Sequence, residues 1–499
     1  MDYKITGYEP EKLFHFFEEI SAIPRGSGNE KGISDYLVKF AKDRGLEVIQ
    51  DDAYNVVIKK AGSRGAEDHA PVMLQGHMDM VCEKRAGVEH DFEKDGLDLI
   101  IRDGRLTANG TTLGGDNGVA VALMLMVLDD DEIEHPPVEC VFTTEEEVGL
   151  NGAKALDKSV LKARTMINMD SEDEGVATVS CAGGLRVQFT KEIQRTTVQG
   201  SLLTLKVEGL LGGHSGQDID KERQNADLLM ARMIQRLLKE TKGQLVSFNG
   251  GTKDNAIPRE CEASLIYESD EEAAKAEELA CELAETYAEE LTPAEPDFSC
   301  EISCETNRTA EAIPQDAAKE FICAMRLAPN GIQKRNIKMD GFVVVSLNLG
   351  VVRTEEDRIV MIFSPRSSVA SLQEDTKERL NTLAETFGFT VSHSSEYPGW
   401  SFKEDSPVRE ICKESYKELF GEDLKIEAIH AGLECGLFSD AIKGLDAIAI
   451  GPTIANCHTP DEYLTLDSFE RYSFTAGKVG KSVPQSGKEQ PERAELYKV

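Results

Sequence analysis

PPVECVFTTEEEVG, residues 136–149, decides the fold. Its apolar run has the length and the β-branched and aromatic content of a buried strand. The run ends on Glu145, Glu146 and Glu147, followed by Val148 and Gly149. Three consecutive carboxylates repel one another, and burying them costs several kcal/mol per charge unless cations compensate. Neighbours on a strand face opposite ways, but a turn at the strand end relaxes that rule. One acid can then hold a metal while its neighbour holds a water. A solvated acidic turn is the plainer alternative, and on this stretch alone it stays open.

The same pattern recurs on either side. PVMLQGH (71–77) is a buried strand ending on a histidine, and ARTMINMDSED (163–173) is another ending on acids. Amphipathic or apolar helices alternate with these strands: 9–21, 28–44, GDNGVAVALMLMVLDD (115–130) and SPVREICKESYKELFG (406–421). VIQDDAYNVVIKKAG (48–62) reads as a hairpin. Between the first two helices lies the turn-rich IPRGSGNE. Buried strands that alternate with helices and end in polar clusters indicate an α/β fold with its site at the carboxyl edge of the sheet.

From about residue 187 the texture changes to strands and acidic helices, in an order that repeats once, as in two related α+β halves. From about 400 the first texture returns. The expected organisation is a catalytic domain over 1–186, an inserted domain over 187–396, completion of the catalytic domain over 397–482, and a flexible tail over 483–499.

Several residues stand out individually. His77 ends a strand, and Asp79 follows at i+2, on the same side, where a carboxylate can fix the imidazole tautomer as metal-bound histidines require. A strand-end His–Asp pair that merely satisfies polar groups is equally compatible. Asp116 follows two glycines at a helix start, where the backbone can approach an ion; taken alone it reads as an N-cap. Asp170 ends the third strand, and His458 follows a strand in ANCHTPDE. Two histidines among several carboxylates suit zinc, with manganese or cobalt as substitutes. Two such ions sharing a carboxylate would neutralise the acids and activate a water.

The bulk properties narrow the function. A net charge of −35 argues against a nucleic-acid partner. No apolar run reaches the roughly 18 residues of a membrane span, and the N-terminus lacks the order of a signal peptide. Eleven scattered cysteines without a CxxC pair fit a reducing cytoplasm.

Taken in order, GHMDMV, LGGDNG, TTEEEVG, NMDSE, GLLGGHSG, NAIPRE, HAGLECG and NCHTPDE resemble the M20 family of metallopeptidases, and most closely its cytosolic aminoacyl-histidine dipeptidase branch. The resemblance spans roughly residues 5 to 480. It implies a catalytic α/β domain with a mixed sheet and an inserted α+β lid of the dimerisation type, with a homodimer expected. It implies that His77 and Asp170 hold one zinc, Glu147 and His458 the other, and that Asp116 bridges them. Asp79 would orient His77, and Glu146 would be the general base, with Gly149 setting the register and Glu145 the less favoured base. His214 would reach a substrate oxygen. Asn255 and Arg366 would hold the peptide, and Gly432 and Glu434 would line its pocket. The implied activity is hydrolysis of dipeptides, Xaa-His and β-Ala-His included. The rivals are another M20 activity, such as N-acyl amino acid amidohydrolysis or tripeptide cleavage, and, more remotely, a metal-binding protein without catalysis.

Overall fold

A computed structural model describes residues 3–132, 134–337 and 341–482. The expected tail, 483–499, lies outside the described residues. The chain divides into two compact units. The first takes the described residues up to Cys181, then Trp400–Ala428 and those from Leu433 on; the second takes Ala182–Gly399 and Ile429–Gly432. The change of texture near 187 falls inside a strand, Gly183–Glu192, so the division comes earlier than the composition suggests. The short segment Ile429–Gly432 also belongs to the second unit, so Gly432 is not part of the unit in which the sequence reading placed it.

The first unit is built on an eight-stranded mixed sheet. At its centre Val138–Thr143, Val72–His77, Thr165–Asn168 and Asp446–Ala449 run parallel. The hairpin Glu47–Gln50 and Val56–Lys60 adds antiparallel strands on one side. The central strands Val72–His77 and Val138–Thr143 are buried along their whole length, which explains their unbroken apolar character. Helix Gly115–Asp129 is apolar on every face and buried almost throughout, so it is a core helix and not a surface one. Its first residues, Asp116 and Asn117, have non-helical dihedrals, and the helix proper begins after them. The parallel strands all deliver their carboxyl ends to one edge, where His77 and the turns after Thr143 and Asn168 collect.

The second unit is a nine-stranded antiparallel sheet with helices Ala226–Glu240, Asp270–Leu291, Gln315–Leu327 and Ala370–Thr386. Its halves share one order of elements. One half is Thr196–Glu208, Ala226–Glu240, Gln244–Gly250, Cys261–Tyr267, Asp270–Leu291 and Ser299–Ala312. The other is Gly183–Glu192, Gln315–Leu327, Val343–Thr354, Arg358–Ser367, Ala370–Thr386 and Thr390–Tyr397. Across the sheet the strands of the first half run fourth, first, third, second, and those of the other half run in the reverse order. The halves meet where Gly250 pairs with Val352. One apolar core, with Phe189, Phe248, Phe321 and Phe363 at 0% exposure, runs under both. Among the described residues no helix is long and apolar enough to cross a membrane.

Candidate metal centre

Two donor sets form at the carboxyl edge of the first unit's sheet, and they share one residue. His77, Asp116 and Asp170 make one set; Asp116, Glu147 and His458 make the other, with the donor atoms of each set within 4.8 Å of one another. The His77 Nε2 lies 2.9 Å from Asp116 Oδ1 and 3.4 Å from Asp170 Oδ1. The His458 Nε2 lies 3.2 Å from the other Asp116 oxygen and 3.0 Å from Glu147 Oε1. Asp116 therefore presents one oxygen to each set. Strand ends supply His77 and Asp170, the glycine turn before the buried helix supplies Asp116, and a loop with left-handed dihedrals at Asn456 and His458 supplies His458.

Asp79 sits beneath His77 with no exposure. Its Oδ1 lies 3.3 Å from His77 Nδ1. It also accepts the Ser27 hydroxyl at 2.8 Å and the Glu146 backbone N–H at 3.1 Å. One carboxylate thus holds both the imidazole and the acidic turn.

The three adjacent acids diverge. Glu145 takes a left-handed φ of 48° and accepts a hydrogen bond from the Asn151 side chain at 3.0 Å. Glu146 and Glu147 turn towards His77, and the three can present donor atoms together. Asn117 Nδ2 donates to Asp170 Oδ1 at 3.0 Å.

The electrostatics are those of an anionic cluster short of positive charge. Burial pushes the Glu146 carboxyl well above its ordinary range, helped by Asp170, Glu434 and Asp116. Burial also raises Asp170 and Glu147. At Asp116 burial opposes ionisation, but His458 and His77 on its two oxygens outweigh it and hold the carboxyl low. Asp116, then Glu147, push His458 up to about 11. Glu147 Oε1 is buried, and the His458 imidazole is its neighbour at 3.0 Å. Imidazole and carboxylate donors in two sets around a shared Asp, in a buried cluster with more acids than imidazoles, fit a pair of divalent cations of the zinc, manganese or cobalt type.

Glu434 is completely buried in the first unit, where the expectation had it lining a substrate pocket. It accepts the Thr143 hydroxyl at 2.7 Å and the Gln75 amide, and burial raises it to about 7. The remaining predicted residues belong to the second unit. His214 accepts the Gly216 and Gln217 backbone N–H groups on Nδ1 at 3.2 and 3.0 Å, which leaves the hydrogen on Nε2. Burial, then the nearby Arg366, hold His214 below its ordinary value. Arg366 is buried and donates to the Tyr397 hydroxyl at 3.0 Å, while its Nε has no partner. The absent side chain of Gly432 leaves room for the Tyr397 ring. The Asn255 backbone carbonyl accepts from the Ser215 N–H, next to His214, at 2.9 Å.

Sequence reasoning missed three supporting residues. Arg25 and Glu462 hold the backbone of the glycine turn, and Glu30 accepts the Glu145 N–H at 3.1 Å. The signals were an arginine and an acid in otherwise turn-forming loops, IPRGSGNE and NCHTPDE. A Glu172–Cys457 pair beside Asp116 went unread as well.

A family model described as peptidase family M20/M25/M40 matches residues 73–473. The chain is 34% identical to the cytosol non-specific dipeptidase of Escherichia coli (strain K12), over 96% of this chain and 99% of that protein. It is similar to the crystal structure of aminoacylhistidine dipeptidase from Vibrio alginolyticus, with a TM-score of 0.91 and 35% identity over 97% of this chain and 99% of that one. The aminopeptidase PepT of Bacillus cereus shares the fold, at a TM-score of 0.54 and 16% identity over 95% of this chain and 98% of that one.

Proposed function

The chain belongs to peptidase family M20/M25/M40, and on that premise we propose that it is a metal-dependent dipeptidase working with two divalent cations, zinc by preference. The observation that carries the reading is the pair of donor sets sharing Asp116, with the buried Glu146 beside them. His77 and Asp170 would hold one cation, Glu147 and His458 the other, and Asp116 both. When bound, such a pair polarises a carbonyl and lowers the pKa of an attacking water.

The chain's own groups supply the rest. Glu146, raised by burial, takes the proton from the water and returns it to the leaving amine. Asp79 keeps the His77 ring oriented through Nδ1. The Nε2–H of His214 donates to the developing oxyanion. Arg366 receives the terminal carboxylate of the dipeptide, for which a guanidinium fork is suited, and Asn255, Gly432 and Glu434 support substrate binding. Xaa-His dipeptides, including β-Ala-His, are the proposed substrates alongside other dipeptides. A cytoplasmic location and a homodimer are part of the same reading.

Metal analysis of the purified protein, with a substrate panel under zinc, manganese and cobalt, tests it. Hydrolysis of dipeptides over tripeptides and N-acyl amino acids is expected. Preferential deacylation or tripeptide cleavage would move the chain to another branch of the family. Bound metal with no hydrolysis of any of them would leave a binding protein.

A further inference from the structure

We propose that Arg25 and Glu462 are positioning residues that clamp the turn before Asp116 and set the spacing of three cation-holding segments. The proposal rests on the two-cation reading above.

Arg25 is 2% exposed and lies in the loop between the first two helices. Its Nη1 donates to the Met78 and Asp79 carbonyls at 3.1 and 3.3 Å, and its Nη2 to the Gly114 carbonyl at 2.5 Å. One guanidinium therefore ties the backbone just after His77 to the backbone just before Asp116. Glu462 grips the same turn through its N–H groups. It accepts from Leu113 at 2.8 Å, Gly114 at 3.1 Å and Gly115 at 2.8 Å. Glu462 lies four residues after His458, at the end of the same loop. The pair thereby links the segments that carry His77, Asp116 and His458.

The glycines make the arrangement possible. Gly114 adopts a left-handed φ of 64°, and a Cβ there would fall 2.5 Å from Arg25 Nη2. A Cβ on Gly118 would fall 2.8 Å from the same nitrogen. A buried guanidinium is costly to desolvate. Here it makes no direct ion pair closer than 4 Å among the described residues, and it lies instead in the field of Glu462, Asp79 and Asp116. Holding the turn carbonyl, with the opposite charge on the turn N–H groups, fixes the Asp116 backbone from both sides.

The test is cation affinity, measured on metal-depleted full-length protein by titration with Zn2+ and with Mn2+ against a chelating dye. Arg25→Lys keeps the charge but loses the fork, and Glu462→Gln replaces an acceptor oxygen by a donor that faces an N–H. Each is expected to weaken at least one cation by about tenfold or more, as loss of an orienting partner does elsewhere. Leu128→Ala, a core truncation at the far end of the same helix, is the control for stability loss alone and should keep both cations. Gly118→Ala displaces the guanidinium while favouring helix, and it gives the answer if the other variants do not fold. Wild-type affinity in the clamp variants overturns the proposal, as does equal loss in Leu128→Ala at matched melting temperature. A wild-type chain that takes up neither cation overturns the two-cation reading, and the clamp with it.

Discussion

The two units handle buried charge in opposite ways. In the first, Asp116, Asp170, Glu146 and Glu147 are gathered around His77 and His458, and burial raises three of the four acids. In the second, His214 and His430 share their surroundings with Arg366, and burial followed by that arginine lowers both, His430 to about 3. The same unit buries Asp227 with no cationic side chain among the described residues in hydrogen-bond contact and only the Cys261 thiol beside it, and burial raises its carboxyl to about 8. A buried carboxylate can be relieved by a cation or by a proton. Clustered acids interleaved with imidazoles present several donors at once and so favour cations. A single acid beside the Cys261 thiol offers no such set of donors, and its burial favours the protonated form. The imidazole–arginine group, by contrast, is where the proposed function would seat a substrate's negative charge.

The comparison breaks most visibly at Glu146. Glu146→Gln keeps the shape, should keep both cations, and should lower turnover by about 10³-fold or more, as loss of a general base does. Near-normal turnover, with Glu145→Gln inactive, would exchange the roles of the two acids. In the second unit, His214→Ala should lower kcat by about 10²-fold without changing metal content, the scale of a lost oxyanion donor. Metal loss in that variant would mean that the imidazole serves the cations instead. A smaller effect is expected at Arg366. Arg366→Lys keeps the charge but not the fork, so KM for dipeptides should rise about tenfold with kcat little altered. An unchanged KM would remove Arg366 from carboxylate recognition.

The fold was readable where apolar runs stop at polar residues. Buried parallel strands cannot alternate, so PVMLQGH and VECVFT declare themselves and place His77 and the acidic turn at one edge. The repeated order of helices and strands likewise foretold a second unit with two halves. The boundary was not readable, because Gly183–Glu192 alternates like its neighbours and only its pairing with Arg358–Ser367 assigns it to the second sheet. Within TTEEEVG the residue types are identical, and what separates them is the left-handed turn at Glu145, a backbone property that composition does not report. The burial of Glu434 was not readable for a similar reason. Nothing in HAGLECG marks its acid as buried, but the start of helix Glu434–Ala441 packs it against Thr143 and Gln75. Arg25 and Glu462 act on backbone atoms, and such partners leave no spacing pattern to find.

The smallest expected effect is on stability, at the lone acid. Asp227 has an ordinary carboxyl value of 3.8 and a folded one of about 8. Folding therefore takes up a proton in the interval between them. The folded state binds more protons than the unfolded state there, so stability is fully present below the lower value and is lost as pH rises through the upper one. The slope from this group is at most ~1.4 kcal/mol per pH unit. Asp227→Asn replaces the protonated acid by a neutral group of the same shape and should flatten that slope. Urea midpoints at several pH values between about 5 and 8 give the comparison, with contributions from the acidic cluster of the first unit common to both proteins. The two curves should diverge towards high pH, with the variant the more stable. Parallel curves would mean that Asp227 is ionised in the fold, and the distinction between a proton in one unit and cations in the other would then fail at its simplest point.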